Sequence, residues 1–166
     1  MSSRRRRLLR ASLAASAAVV LATLARADAP SDQYGTFNLS TPVIADAKTG
    51  LSWQRYPPTA GVSFQGAADY CATLSLYIFA SGWRVPSYKE LLTLVDEAPH
   101  VEYEGTTVVE KFIDANAFPG AAVTTSPYWT SSAYPAQAGS AYVVDFHTGV
   151  PQAQDTGFSA YVRCVH

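Results

Sequence analysis

The sequence predicts an α+β domain. Three observations carry this: a short hairpin pattern early in the chain, two amphipathic helical stretches in the middle, and alternating β-branched and aromatic runs separated by turns in the last 40 residues. Strands and helices segregated along the chain, rather than alternating one for one, favour antiparallel sheets with helices packed against them.

The hairpin comes first. Residues 43–46 and 51–55 are strand-like and flank Lys48-Thr49-Gly50, where Gly50 supplies the positive φ of a tight turn. Pro57-Pro58 ends the second run. Ser63 then caps a helix over about residues 64–76, in which Phe64, Ala67, Ala68, Cys71 and Leu74 recur at helical spacing and place Cys71 on the buried face. After Gly82 comes a short extended run, Trp83-Arg84-Val85-Pro86. Ser87-Tyr88-Lys89-Glu90 follows as a capping box for a second helix carrying Leu91, Leu92, Leu94 and Val95. Residues 96–127 carry a weak pattern and are expected to be irregular, with a short helix around 109–114. Strands are expected at 128–134, 142–146, 150–154 and 160–165, with His147-Thr148-Gly149 as a turn.

The first 27 residues read as an export leader. They hold a basic stretch (Arg4 to Arg7 and Arg10), an apolar run over residues 11–25, and Ala25-Arg26-Ala27 as a cleavage pattern. Arg5-Arg6-Arg7-Leu8-Leu9-Arg10 also resembles a twin-arginine leader, so both export routes stay open. The apolar run is shorter than the roughly 20 residues of a spanning helix, so no stable membrane anchor is expected after cleavage. Residues 28–36 form a short tether, and 37–166 are expected to be one domain. Asn38-Leu39-Ser40 matches a glycosylation acceptor, of consequence only in a host that modifies it.

Leader removal changes the electrostatics. Six of the 12 Lys and Arg lie in the leader, which leaves six against 13 acidic residues and a formal charge of −7 in place of −1. Nucleic acid is therefore not an expected partner, because polyanion binding needs clustered cations. The two cysteines, Cys71 and Cys164, are expected to pair in an oxidising destination. The competing reading is a nucleophilic Cys164 served by His166.

Five segments in order resemble a known family: Asp46-Ala47-Lys48-Thr49-Gly50-Leu51-Ser52-Trp53-Gln54-Arg55; Ala68-Asp69-Tyr70-Cys71; Gly82-Trp83-Arg84-Val85-Pro86-Ser87 with Glu90-Leu91; Tyr128-Trp129-Thr130-Ser131-Ser132; and Val162-Arg163-Cys164-Val165. Together they look like the bacterial extracytoplasmic Lcl C-terminal-domain-like family, over about residues 37–166. The resemblance implies a C-type lectin-like fold in which a disulfide ties the first helix to the last strand, as Cys71 and Cys164 would. It also implies adhesion through sulfated polysaccharides, from which the charge of this chain departs. Thr130-Ser131 stand after Trp129 where a calcium-dependent sugar site would need Asn-Asp. Calcium also needs converging carboxylates, so neither calcium nor any other metal is expected.

No hydrolase elbow, zinc helix, P-loop or glycine-rich nucleotide turn is present, so no cofactor and no catalytic residue are assigned. Trp53, Trp83 and Trp129 are expected in the core. Arg55, Arg84 and Arg163 are expected to pair with Asp46, Asp69 or Glu90. The acidic stretch Asp96-Glu97 and Glu102-Tyr103-Glu104 beside His100 reads as a solvated loop. The candidate ligand-binding residues are Tyr134, Gln137, Gln152, Gln154 and Asp155, with Phe158 nearby, a set suited to a neutral sugar or a peptide. The expected function is an exported binding module for a surface glycan or envelope protein. A self-associating envelope component and an enzyme of unknown reaction are the alternatives.

Overall fold

In the computed structural model the described residues are Pro30, 32–35, Asn38, 40–120 and 126–166. The residues expected as a leader lie outside them, as do residues 28, 29, 31 and 36 of the expected tether. The architecture is α+β: two helices and seven strands in small antiparallel sheets. No helix among the described residues is long and apolar enough to cross a membrane.

Strands β1 (Val43–Ala45) and β2 (Ser52–Gln54) pair antiparallel around a turn organised by Asp46. The Asp46 carboxylate accepts from the amides of Lys48 and Thr49 at 2.9 and 3.2 Å, and its carbonyl accepts from the Gly50 amide at 2.8 Å. Gly50 has φ +75°, the left-handed conformation expected of it.

Helix α1 (Phe64–Thr73) starts at Ser63, whose hydroxyl accepts from the Gly66 amide, and stops three residues short of its expected end because Leu74 turns extended. Ala67 and Cys71 face inward, whereas Ala68 is exposed. Cys71 and Cys164 form the disulfide, with Cα atoms 5.6 Å apart and a sequence separation of 93. Residues 160–165, expected as a strand, form isolated bridges instead. Ala160 bridges Val62, Tyr161 bridges Tyr128, and Val165 bridges both Trp53 and Arg84. The segment changes partner every few residues, so no ladder persists, yet it laces four parts of the chain together.

Helix α2 (Tyr88–Leu92) begins with both halves of the Ser87/Glu90 capping box. It is short, and Leu94 reaches the core from the turn that follows. Within the expected irregular stretch, residues 100–111 form a hairpin in place of irregular chain and the start of the expected short helix: β3 (His100–Glu104) and β4 (Thr107–Lys111), turning at Gly105 with φ +67°, while described residues 112–120 stay irregular. Val109 is therefore in a strand. Thr-Thr-Val-Val is a β-branched run, whose stiff side chains favour extended backbone over helix.

The main sheet has the order β5 (Tyr128–Ala133), β6 (Ser140–Asp145), β7 (Val150–Asp155), close to the expected ranges. Its central strand divides the core. Ala141 and Val143 join Ala67, Cys71, Trp83 and Trp129 on one side, while Val144 joins Leu91, Leu94, Phe118 and Phe146 on the other. Burial of a side chain the size of Phe118 or Phe146 contributes about 2–3 kcal/mol.

Candidate functional site

The family-like motif residues meet in the interior. Trp53, Trp83 and Trp129 are all buried, as expected for core packing. Arg55 and Arg163 are buried as well, but neither is hydrogen-bonded to the carboxylates expected of them. The Arg163 Nη1 donates to the carbonyls of Gln54 and Arg55 at 2.8 and 2.6 Å, and its guanidinium lies 4.7 Å from the centre of the Phe118 ring. The Tyr128 hydroxyl sits beside that guanidinium without a hydrogen bond of good geometry. Burial pulls the Arg163 pKa below its ordinary value, and Tyr128 partly offsets this. Arg84 alone follows the expected pairing, in a bidentate bridge to Glu90 at 2.8 and 2.7 Å.

Gln54 completes the junction. Its Nε2 donates to the Tyr56 carbonyl at 2.8 Å and to the Tyr70 hydroxyl on α1 at 2.7 Å, while its Oε1 accepts from the Cys164 amide at 3.1 Å. One side chain thus joins β2, α1 and the residue that carries the disulfide. Arg55 extends outward: its Nη1 donates to the Asn38 carbonyl at 2.6 Å and its Nη2 to the Asn116 carbonyl at 3.0 Å.

These two residues set the walls of a cleft. Tyr56, Pro57 and Pro58 form one wall, Pro119 and Gly120 another, and Tyr161 lines it as well, around a volume of about 380 Å³. Gln54 holds the Tyr56 carbonyl, and the Arg55 guanidinium lies 5.3 Å from the centre of the Tyr56 ring. The same guanidinium grips Asn116, three residues before Pro119, so one buried cation positions both sides. Tyr161 is fixed by its backbone, which donates to the Pro127 carbonyl and accepts from the Trp129 amide, each at 2.9 Å. The result is a concave surface of rigid rings with few ionised groups.

Two smaller clefts flank other parts of the fold. One, of about 300 Å³, lies between α1 and residues 83–85. The other, of about 240 Å³, lies between β1 and the turn at Tyr77 and Ile78. Tyr77 has φ +56°, and both side chains are exposed at the tip of a turn closed by reciprocal Leu76 and Phe79 hydrogen bonds.

The five residues expected to bind ligand fall on two sides of the main sheet. Tyr134 and Gln137 belong to the β5–β6 loop, where the Gln137 amide donates to the Tyr134 carbonyl at 3.3 Å. The Tyr134 ring packs edge-on against Tyr142 at 5.1 Å, and Tyr142 packs on Tyr88 from α2 at 4.5 Å. Gln152 and Gln154 oppose Val143 and Ala141, so they share the other face, toward α1. Asp155 opposes Ser140, and its carboxylate accepts from the Gly157 amide at 2.8 Å in a local turn. Phe158 is exposed beyond that turn. The loop residues therefore stay together, but Gln152 and Gln154 do not join them on one surface.

His147 sits in the expected turn with its Nδ1 3.0 Å from the Glu110 carbonyl oxygen. His100 lies 3.2 Å from Asp96. Sequence reasoning treated Pro57-Pro58 only as a strand end and passed over Tyr56, Pro119 and Tyr161. An aromatic before two prolines is a detectable local signal for a rigid exposed ring. The partners, roughly 60 and 105 residues away, carry none.

A disulfide-closed α+β domain, built round an interior junction of Gln54, Arg55 and Arg163, is the class that the fold and these motifs define. The chain belongs to the Lcl C-terminal domain family, whose family model matches residues 42–166. No curated protein matches it.

Proposed function

We propose that this chain is an exported binding domain of C-type lectin-like fold that takes a neutral glycan in the cleft of Tyr56, Pro57, Pro58, Pro119 and Tyr161. The cleft carries the reading, because it offers aromatic and proline faces fixed from beneath by Arg55 and Gln54. Sugar rings present apolar C–H faces that stack on such surfaces, and hydroxyls at their rims that reach backbone groups. The lectin-like assignment draws support from the tie between α1 and the closing segment at Cys71 and Cys164.

Charge favours a neutral ligand over a sulfated one. Arg55, Lys111 and Arg163 are buried, while Arg84 and Lys48 are paired with Glu90 and Asp32. Lys89, the sixth cation of the domain, is exposed on α2, so among the described residues a polyanion finds few charges to neutralise it.

Glycan-array screening of the exported protein, followed by titration of the best neutral oligosaccharide, tests this. Tyr56→Ala and Tyr161→Ala are each expected to weaken binding by about tenfold or more. Binding unchanged in both variants, or confined to sulfated chains, would overturn the assignment.

A further inference from the structure

The β3–β4 hairpin presents an apolar face to solvent. Opposed residues in an antiparallel pair share a side, so the register puts Val101 with Glu110, and Tyr103 with Val108, on one face. Val109 and Lys111 lie on the opposite face and are buried, which turns that side toward the body of the protein. Val101, Tyr103 and Val108 are 54%, 76% and 56% exposed. A single exposed apolar side chain is ordinary, but three of the four on one side of a two-stranded sheet make a patch. Two strands are marginal alone, and an uncovered face contributes little to holding them.

The charge around this face is one-sided. Glu110 stands on the outer face itself and Glu97 is exposed just before the hairpin, whereas Lys111, the one Lys or Arg of residues 96–114, is buried on the opposite side. A second copy would bring the same acidic hairpin against itself, which like-charge repulsion opposes. A cationic surface is favoured by the same term.

We propose that the outer face of β3–β4 docks a cationic amphipathic segment of another protein, whose apolar side covers Val101, Tyr103 and Val108. Such a segment completes the missing layer over the hairpin, and its basic side meets the exposed carboxylates of Glu97 and Glu110. This surface is separate from the aromatic cleft and does not depend on its ligand.

The test uses a synthetic helical peptide of about 18 residues with leucines on one face and lysines on the other, titrated into the exported protein. The triple variant Val101→Thr, Tyr103→Thr, Val108→Thr keeps strand propensity and every charge, and is expected to bind about tenfold more weakly. The near-ultraviolet signal of the three buried tryptophans reports whether it folds. The double variant Glu97→Lys, Glu110→Lys leaves the apolar face intact and is expected to weaken binding by about fivefold or more at low salt. Equal binding of a peptide with glutamates in place of the lysines, or binding by the triple variant within about twofold of the parent, would overturn the proposal. So would self-association of the parent that the triple variant abolishes, which would assign the face to a second copy. Binding to phosphatidylcholine vesicles through the same three residues would assign it to lipid and overturn the proposal equally.

Discussion

The junction under β2 and the β3–β4 hairpin both invert the usual arrangement of polar and apolar groups, in opposite directions. At the junction two arginines and a glutamine lie in the interior, while on the hairpin two valines and a tyrosine lie in water. The junction answers its inversion internally. Arg163 holds the carbonyls of residues 54 and 55, and Gln54 satisfies donors and acceptors on three elements. Nothing among the described residues covers the outer face of the hairpin in the same way. An unusual distribution that is satisfied within the chain reads as architecture, and one left unsatisfied reads as a surface for something else.

Substitutions test that contrast in order of expected size. Replacing both Cys71 and Cys164 with Ala releases a loop of 93 residues and is expected to cost about 4–5 kcal/mol in the chain-entropy picture. Denaturant unfolding of the oxidised parent against the variant measures it. Arg163→Ala strands two buried carbonyls and leaves a void beside Phe118, for an expected loss of about 3–5 kcal/mol by the same measurement. A loss below about 1 kcal/mol would mean that the junction is not what holds β2 to the closing segment.

Glu90 gives a smaller effect with a pH signature. Hydrogen bonds from Arg84, aided by the Ser87 amide, hold its carboxyl at about 2 against an ordinary 4.5. The folded state therefore binds this proton less readily than the unfolded chain. The contribution is complete above about pH 4.5 and is lost as pH falls toward about 2. Glu90→Gln is expected to cost about 1 kcal/mol at neutral pH, combining a lost cap interaction with a partly exposed ion pair. Over that acid range its stability should change less than the parent's, as urea midpoints at stepped pH would show.

The hairpin variant sits at the bottom of the scale. Val101→Thr, Tyr103→Thr, Val108→Thr is expected to change stability by no more than about 0.5 kcal/mol, because these side chains are already in water. A loss of several kcal/mol would show that the face is covered within the chain, and the contrast with the junction would collapse.

Local chemistry made much of the fold legible. Ser63 and the Ser87/Glu90 box mark helix starts, Gly50 and Gly149 mark turns, and the alternation after Tyr128 marks the main sheet. Each depends on residues within a few positions of one another. Over residues 96–127 the weak pattern predicts irregular chain and a short helix, where the β-branched run after Gly105 forms a strand. Residues 160–165 differ from expectation for the opposite reason, since a strand-like sequence forms no ladder when its partners keep changing.

The aromatic cleft lay beyond such reasoning. Nothing near Tyr56 in sequence points to Pro119 or Tyr161, which meet it because Arg55 reaches Asn116 and because the closing segment lies beside β5. The expected group of Tyr134, Gln137, Gln152, Gln154 and Asp155 divides across the main sheet for a related reason. Strand register decides which face each side chain takes, and it sets Gln152 and Gln154 opposite Val143 and Ala141.

By itself the sequence determined the α+β class, the turn and cap positions, the acidic balance of residues 28–166 and the family, because these depend on composition and on neighbours in the chain. The tertiary structure alone decided that Arg55 and Arg163 hold backbone carbonyls, which rings meet in a cleft, and which face of the hairpin is left open. The first two follow from contacts across 61 to 109 residues, and the physical terms that fix all three, burial and register, come into being only when the chain has closed on itself.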